Sequence, residues 1–241
     1  MAWQSSLPFD TAKTDAEPTL AKKNILTHGK KIKADEAARS GKLEEAKALY
    51  QAVCKTDGTD VEAWVKLGVI EKQLGRFQEA ETCCRRGIAI NPGLGLAHYG
   101  LGSALHSQGK IQDAIGAYRK AIQLQPDLAD AHYLLGNALH ATGQVSEALS
   151  CYKTAIGLKP RFPEALGDMG AALIDRGDSA ASIDVLKQAL QFQPGNVVAL
   201  SNLSLALRLQ GKVNEALEGY RHALRLAPDS AEVMAHLAGL L

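Results

Sequence analysis

The chain has 241 residues and a formal net charge of +1, with 27 Lys and Arg residues balanced by 26 Asp and Glu. This balance excludes the clustered basic excess that is expected of a protein dedicated to nucleic acid or to a membrane surface. Aromatic residues make up only 5% of the sequence, while Ala, Leu and Gly are prominent, which favours closely packed helices over an aromatic-rich β core.

Residues 1–18 contain Ser, Thr, Asp and Pro without a helical period, and we expect them to form a flexible tail. The tail lacks the basic start and the apolar stretch of a signal peptide, and no apolar run reaches the ~18 residues that span a bilayer. We therefore expect a cytoplasmic protein that makes no contact with a membrane. From Thr19 the sequence predicts a first helix that runs toward Ser40. Trp3 and Phe9 are either unanchored aromatics of the tail or part of a short segment that docks into a groove.

From residue 27 onward the sequence repeats itself every 34 residues. Prolines, glycines in two places and alanines all recur at this interval. The prolines are Pro92, Pro126, Pro160, Pro194 and Pro228; one glycine series is Gly41, Gly75, Gly109, Gly143, Gly177 and Gly211; the other is Gly68, Gly102, Gly136 and Gly170, with Ser204 next; the alanines are Ala46, Ala80, Ala114, Ala148 and Ala216, interrupted by Ser182. A fixed period of this length indicates a solenoid of short stacked units.

The unit from Gly95 to Leu128 shows why these residues recur. Apolar residues between Ala97 and Leu105 have helical spacing and predict a first helix. Gly109 is expected to close that helix in the left-handed conformation, which glycine adopts without a Cβ clash. A second helix is predicted from Ala114 to Leu124, and Pro126 ends it because proline cannot donate a helical hydrogen bond. Helix pairs this short bury their apolar faces only by stacking on their neighbours.

This helix–turn–helix resembles the tetratricopeptide repeat. The resemblance is carried by Trp64-Val65-Lys66-Leu67-Gly68, Leu101-Gly102, Leu135-Gly136, the alanine series, and Tyr118, Tyr152 and Tyr220 on the second helices. It implies an all-α fold, an α-solenoid in which antiparallel helix pairs build a right-handed superhelix of about 6.5 units. We place the solenoid at 19–241, with units at 27–60, 61–94, 95–128, 129–162, 163–196 and 197–230 and a half unit at 231–241. Its regularity also resembles the superhelical arm of O-linked N-acetylglucosamine transferase in general style, although that enzyme's asparagine ladder is not reproduced.

The unit at 163–196 departs most from the pattern. Ser179 replaces an apolar residue and Ser182 replaces the repeated alanine. We expect the array to open first in this unit.

No pattern of residues points to a metal, a cofactor or a reaction. Two of the four cysteines are adjacent and no CxxC pair occurs, so we expect reduced thiols. His98 and His132 share one place in the repeat, and His106 and His140 share another. Successive units lie about one helix spacing apart, which is too far for both histidines of a pair to bind one metal through ~2 Å bonds. Motifs for a nucleophile with its base, or for a phosphate-binding loop, are also missing from the sequence, and we expect no catalysis.

Recognition is the function that the resemblance implies. In the tetratricopeptide family the first helices line a concave groove, and contact residues lie near the start, middle and end of each one. The peptide-groove residues that we single out are Lys66, Lys72, Tyr99, Ser103, His106, Tyr133, Asn137, His140, Asp168, Asp175, Asn202 and Arg208.

Tyr99 and Tyr133 are the most informative of these residues, because they occupy the same place in adjacent units and we expect neither to belong to the stacking core. A shelf of tyrosines beside polar groups suits an extended peptide, since rings cover apolar side chains and polar groups satisfy its backbone. Acidic residues outnumber basic ones among all the groove positions of units two to six, five to three. Strongly acidic ligands are therefore disfavoured.

The sequence leaves three functions open. The first is a scaffold that binds a protein or an extended peptide in the groove. The second is the substrate-recognition arm of a larger, glycosyltransferase-like enzyme that continues past Leu241. The third is self-assembly through the apolar end at 231–241 or through the N-terminal tail.

Overall fold

The computed structural model describes residues 16–240, with side chains from Thr27 onward apart from that of Glu232. Within this range the chain forms thirteen helices and no strand. The helices are α1 (Ala16–Arg39), α2 (Leu43–Thr56), α3 (Val61–Gln73), α4 (Phe77–Ile90), α5 (Gly95–Ser107), α6 (Ile111–Leu124), α7 (Ala129–Ala141), α8 (Val145–Leu158), α9 (Pro163–Asp175), α10 (Ser179–Phe192), α11 (Val197–Leu209), α12 (Val213–Leu226) and α13 (Ala231–Ala238).

The helices form antiparallel pairs, and the predicted α-solenoid is confirmed. The chain divides into two compact units, the first ending at Gly93 and the second beginning at Leu94. In the first unit α1 packs on α2, α2 on α3, and α3 on α4. In the second unit each helix from α5 to α13 packs on the next, and the first helices α5, α7, α9 and α11 also contact one another in turn.

The start of the first helix differs from the prediction. Helix α1 begins at Ala16, three residues before Thr19, and ends at Arg39. The remainder of the predicted tail, residues 1–15 with Trp3 and Phe9, lies outside the described residues.

Each first helix of a full pair ends at a glycine in the left-handed conformation, as the sequence predicts. At Gly143 the backbone φ is +77°. Its N–H donates to the His140 carbonyl at 2.9 Å, and the N–H of Gln144 donates to the Leu139 carbonyl at 2.9 Å. These two bonds satisfy carbonyls that the end of α7 would otherwise leave unpaired.

The second glycine series lets a bulky side chain of the second helix lie directly against the backbone of the first. A Cβ at Gly136 would lie 2.6 Å from the Tyr152 ring, and one at Gly102 would lie 2.6 Å from the Tyr118 ring. At Gly170 the side chain in this place is that of Leu186. The glycines are therefore required by the closeness of the helix crossing.

The two serines of the unit at 163–196 are buried and hydrogen bonded. The Ser182 hydroxyl donates to the Gly170 carbonyl at 2.8 Å, and Ser179 Oγ accepts from Gln210 at 2.6 Å. A buried polar group that is hydrogen bonded destabilises the fold far less than a buried polar group without a partner. Local opening of this unit stays a prediction, but these two serines are weaker grounds for it than the sequence suggests.

Helix α13 covers the end of the second unit. Val233 is only 2% exposed, and Leu237 and Leu240 pack against the cluster that contains Tyr220. Met234 is 45% exposed, so this short helix keeps one apolar side chain on its outer side.

We expect Gly136→Ala to lower the free energy of unfolding by about 1–3 kcal/mol, because the new methyl group overlaps the Tyr152 ring. The matched control is Gly116→Ala, at an exposed position of α6, where a Cβ meets nothing within 4 Å. That change should instead stabilise the helix by about 0.8–1 kcal/mol. Urea unfolding of both variants measures the difference, and equal effects would show that the crossing at Gly136 is not tight.

Candidate peptide-binding groove

The rings of the two predicted groove tyrosines pack against the rings of buried tyrosines in the same helix pair. The Tyr99 ring lies 6.3 Å from that of Tyr118, and the Tyr133 ring lies 6.3 Å from that of Tyr152. Tyr133 also packs on Phe162, with 4.8 Å between ring centroids. The expectation that Tyr133 stays outside the core is therefore wrong, because its ring covers the apolar cluster between α8 and α9. Its hydroxyl remains at the first-helix face.

Hydrogen bonds join this face across two successive first helices. The Tyr133 hydroxyl on α7 donates to Asp168 Oδ2 on α9 at 2.8 Å. The Tyr152 hydroxyl donates from the core to Asn137 Oδ1 at 2.8 Å. His140 Nε2 lies 2.7 Å from Asp175 Oδ2, about two turns further along both helices than the bond between Tyr133 and Asp168. Five of the predicted residues, Tyr133, Asn137, His140, Asp168 and Asp175, thus come together, and we name this group the α7–α9 site.

A pocket of about 300 Å³ opens within the α7–α9 site. Its walls are formed by Asn137, His140, Ala141, Tyr152 and Asp168. Carboxylate, amide and imidazole groups line it beside the edge of an aromatic ring, so it offers both hydrogen bonds and an apolar contact.

The Asp168 carboxylate lies in an environment that disfavours its charged form. Burial raises the pKa of this carboxyl above its ordinary value, and the Glu164 carboxylate adds to the rise. Hydrogen bonds from Tyr133 and Asn137 and the nearby His140 act in the opposite direction without cancelling it. Among the described residues, neither Lys nor Arg forms an ion pair with Asp168.

Burial also raises the pKa of Tyr133 to about 12, with a further contribution from the Asp168 charge. The phenol therefore stays protonated at neutral pH, and it is the donor in its bond to Asp168.

The predicted residues of α5 form a less polar version of the same arrangement. Ser103 is buried, and the His106 ring lies 6.4 Å from that of Tyr118. Ser103 occupies the place that Asn137 has one unit later, but its side chain is shorter. In the described part of the chain the fully buried Tyr118 hydroxyl makes no hydrogen bond of regular geometry, although Ser103 lies close enough to oppose the rise in its pKa that burial causes. Leu134 stands here in the place of Asp168, and the carboxylate that acts on Tyr99 is instead that of Asp130.

Asn202 and Arg208 lie on α11 and take no part in the α7–α9 site. Both are half-buried, and Arg208 lies beside Gly239 at the end of the second unit. The structure adds His236 of α13, whose Nδ1 lies 3.5 Å from Ser201 Oγ and whose ring lies 5.8 Å from that of Tyr220.

The predicted residues of the first unit are engaged in their own contacts. Lys66 Nζ lies 2.9 Å from Asp35 Oδ2 and 2.9 Å from Glu62 Oε1, and it is 6.0 Å from the centre of the Tyr50 ring. The Tyr50 hydroxyl donates to the same Asp35 carboxylate. Lys72 is half-buried on the same helix.

Sequence reasoning missed Asp35, although the repeat period could have found it. Asp35 lies three units of 34 residues before Asn137, and Tyr50 lies three units before Tyr152. In both places a polar residue on the first helix therefore accepts a hydrogen bond from the hydroxyl of the second-helix tyrosine.

The first unit also has a pocket on the side of its second helices, which the sequence did not indicate. It measures about 500 Å³ and is lined by residues of α2, α3 and α4, among them Cys54, Trp64, Glu71 and Cys83. Burial raises the pKa of Cys54 to about 12 and that of Cys83 to about 11, so both thiols are protonated at neutral pH.

Helix pairs closed by left-handed glycines, tight glycine crossings and a polar first-helix face define a helical-repeat protein of the α-solenoid class. Comparison with protein families agrees with this description. Tetratricopeptide repeat models match residues 61–94, 129–162 and 197–230, and a TPR repeat model matches residues 102–143. The chain belongs to the tetratricopeptide repeat family, whose repeats generally serve as protein-interaction scaffolds.

Solved structures share the fold over most of the chain. The structure reported for Pseudomonas aeruginosa pilF has a TM-score of 0.81 at 16% identity and covers 90% of this chain and 99% of that chain. YrrB, described as a TPR protein with an unusual peptide-binding site, has a TM-score of 0.67 at 18% identity, covering 78% and 96%. MamA has a TM-score of 0.60 at 29% identity, covering 67% and 94%. No curated protein matches the sequence.

None of the helices in the described residues combines the length and the apolar character needed to cross a bilayer.

The two buried tyrosine hydroxyls predict mutational effects of different size. Tyr152→Phe removes a hydrogen bond and leaves Asn137 without its donor, so we expect a loss of about 1 kcal/mol in the free energy of unfolding. Tyr118→Phe removes a buried hydroxyl that makes no hydrogen bond of regular geometry with its neighbour Ser103, so the loss of stability should be smaller or absent. Urea midpoints of the two variants, compared with the parent chain, measure both effects. Equal losses would show that the Tyr118 hydroxyl is hydrogen bonded in solution.

Asp168→Asn should stabilise the protein in a pH-dependent manner. Because folding raises the pKa of Asp168, the folded chain favours the protonated form, and stability is lost as the pH rises through the folded pKa. An uncharged Asn avoids that loss. The melting temperature of the variant should therefore exceed that of the parent at neutral pH, and the advantage should disappear below about pH 3.9.

The control for this experiment is Asp184→Asn, which changes an exposed Asp of α10. It should show no comparable gain. A fall in melting temperature on Asp168→Asn at neutral pH would mean that the charge itself stabilises the fold.

Proposed function

We propose that the α7–α9 site binds an extended peptide segment of a partner protein. The observation that carries this proposal is the meeting of five groove side chains from two successive first helices around one pocket of about 300 Å³. An extended segment has unpaired backbone N–H and C=O groups, and the Asn137, His140 and Asp175 side chains offer partners for them.

The site is held in place before any ligand arrives. Tyr152 orients Asn137 from the core, and Phe162 and Asp168 together hold the Tyr133 ring and its hydroxyl. Side chains that are already ordered lose less conformational entropy on binding. The description of YrrB as carrying a peptide-binding site supports the same use of a related fold.

The other predicted residues extend this proposal along the first helices. Tyr99, Ser103 and His106 of α5 would continue the surface on one side of the α7–α9 site, and Asn202 and Arg208 of α11 on the other. Lys66 and Lys72 would form a separate contact surface on the first unit. Because Lys66 is already paired with Asp35 and Glu62, a ligand there has to compete with two carboxylates.

Selection from a random library of linear peptides displayed on phage tests the proposal. Peptides enriched on the intact chain should slow amide exchange in α7 and α9 and leave α8 unchanged. Protection confined to the second-helix pocket around Trp64 would overturn the proposal, and so would the absence of any enriched peptide.

For an enriched peptide, His140→Ala should weaken binding by about three- to tenfold, because one or two polar contacts are lost. The matched control is His222→Ala, an exposed histidine on the second-helix side at α12. Fluorescence anisotropy measures both affinities. Tyr133→Ala is a poorer test, since it also removes the packing against Phe162.

A further inference from the structure

The pocket of the α7–α9 site contains a carboxylate whose counter-charge is missing. Asp168 lines this pocket, the Asp175 carboxylate lies at its edge through His140, and Glu164 lies close enough to raise the pKa of Asp168. The only positive partner that the described residues provide is His140, which is charged only when protonated.

Nearby basic side chains are occupied elsewhere. Lys159 lies 4.0 Å above the Phe162 ring and 3.6 Å from Asp130. Arg176, which follows α9, pairs with Asp178 at 3.1 Å. Neither is available to neutralise Asp168 in the structure.

The first unit shows what completes such an arrangement. Lys66 has the same place in the 34-residue repeat as Asp168, which lies three repeats later. In the same way Asp35 corresponds to Asn137, and Tyr50 corresponds to Tyr152. In the first unit the Asp35 carboxylate contacts both a cation and a buried tyrosine. Lys66 Nζ lies 2.9 Å from Asp35 Oδ2, and the Tyr50 hydroxyl donates to the same carboxylate. In the α7–α9 site the carboxylate and the tyrosines are present and the cation is missing.

We propose that this pocket binds the guanidinium group of an arginine side chain in the peptide ligand, an inference that rests on the proposed function of the site. The Asp168 carboxylate already accepts from Tyr133 and Asn137, and it has further lone pairs that can accept from a cationic ligand. The Asp175 carboxylate provides further acceptors at the edge of the pocket.

Arginine suits this pocket better than lysine does. Its five N–H donors reach several acceptors at once, whereas an ammonium group is a compact, strongly hydrated charge. A guanidinium also stacks on aromatic rings, and the half-buried ring of Tyr133 borders the site. An anionic side chain in the same place would face Asp168, Asp175 and Glu164.

The experiment uses a capped pentapeptide, acetyl-Ala-Ala-Arg-Ala-Ala-amide, and its citrulline counterpart. Citrulline has nearly the shape of arginine and no charge. Titration of the intact chain, followed by NMR, should move the signals of Tyr133, Asn137 and His140 with the arginine peptide. Binding of the citrulline peptide should be at least about tenfold weaker, and a lysine peptide should lie between the two. This comparison requires no variant and does not depend on how a mutation affects folding.

Asp168→Asn should lower the affinity for the arginine peptide to that of the citrulline peptide. Asp184→Asn should leave the affinity for the arginine peptide unchanged. The arginine peptide should also lower the pKa of Asp168, read from its side-chain carbon shift, because a bound cation favours the carboxylate. Citrulline and arginine peptides of equal affinity would overturn the inference, as would shifts confined to other acidic surfaces such as Glu215 and Glu218.

The two proposals fail in different ways. If library peptides protect α7 and α9 but are neutral and insensitive to Asp168→Asn, the peptide site stands and the arginine pocket is overturned. If the arginine pentapeptide moves the site's signals while no library peptide protects α7 or α9, the pocket stands as a guanidinium site and extended-peptide binding is overturned.

Discussion

The contact between a bulky side chain of the second helix and a glycine backbone of the first is the constraint on which the rest of the structure depends. At Gly136 the Tyr152 ring lies within 2.6 Å of the place where a Cβ would be, so the two helices approach as closely as their backbones allow. Because the helices lie so close, the Tyr152 hydroxyl reaches the first helix, where it donates a hydrogen bond to Asn137. The core contact therefore decides where the polar groups of the groove lie.

One consequence is that side chains of the α7–α9 site belong both to the packed core and to its polar surface. Tyr133 contributes its ring to the cluster around Phe162 and its hydroxyl to Asp168, so it cannot be assigned to the core or to the surface alone. The buried carboxylate works against stability, because desolvation disfavours its charged form. A group that destabilises the free chain and is held by ordered neighbours fits the binding role that we propose for Asp168, since natural proteins retain such a cost where function requires it.

The 34-residue period was sufficient to predict the helices, the left-handed turns and the face on which groove residues lie. It predicts these features because each depends on one residue type at one place, such as Gly143 at the end of α7. The partners of the groove residues were not predictable in the same way. Whether Tyr133 meets Asp168 depends on side-chain rotamers across two helix pairs, and the pairing of Lys66 with Asp35 depends on which residues the neighbouring unit offers. The hydrogen bond that satisfies Ser182 likewise appears only once the Gly170 carbonyl is placed beside it.

Equivalent positions of the repeat carry different charges, and under the proposed function this difference would give a repetitive fold its selectivity. In the first unit Lys66 and Asp35 neutralise each other across two first helices, so that surface is electrostatically complete. In the second unit the corresponding positions carry Asp168 and Asn137, and the α7–α9 site is left with an unbalanced negative charge. The backbone places both pairs alike, because the crossing below them is the same tyrosine packed on a small residue. Family membership therefore accounts for the fold, and under the proposed function the residues at a few positions would determine which ligand charge each part of the groove accepts.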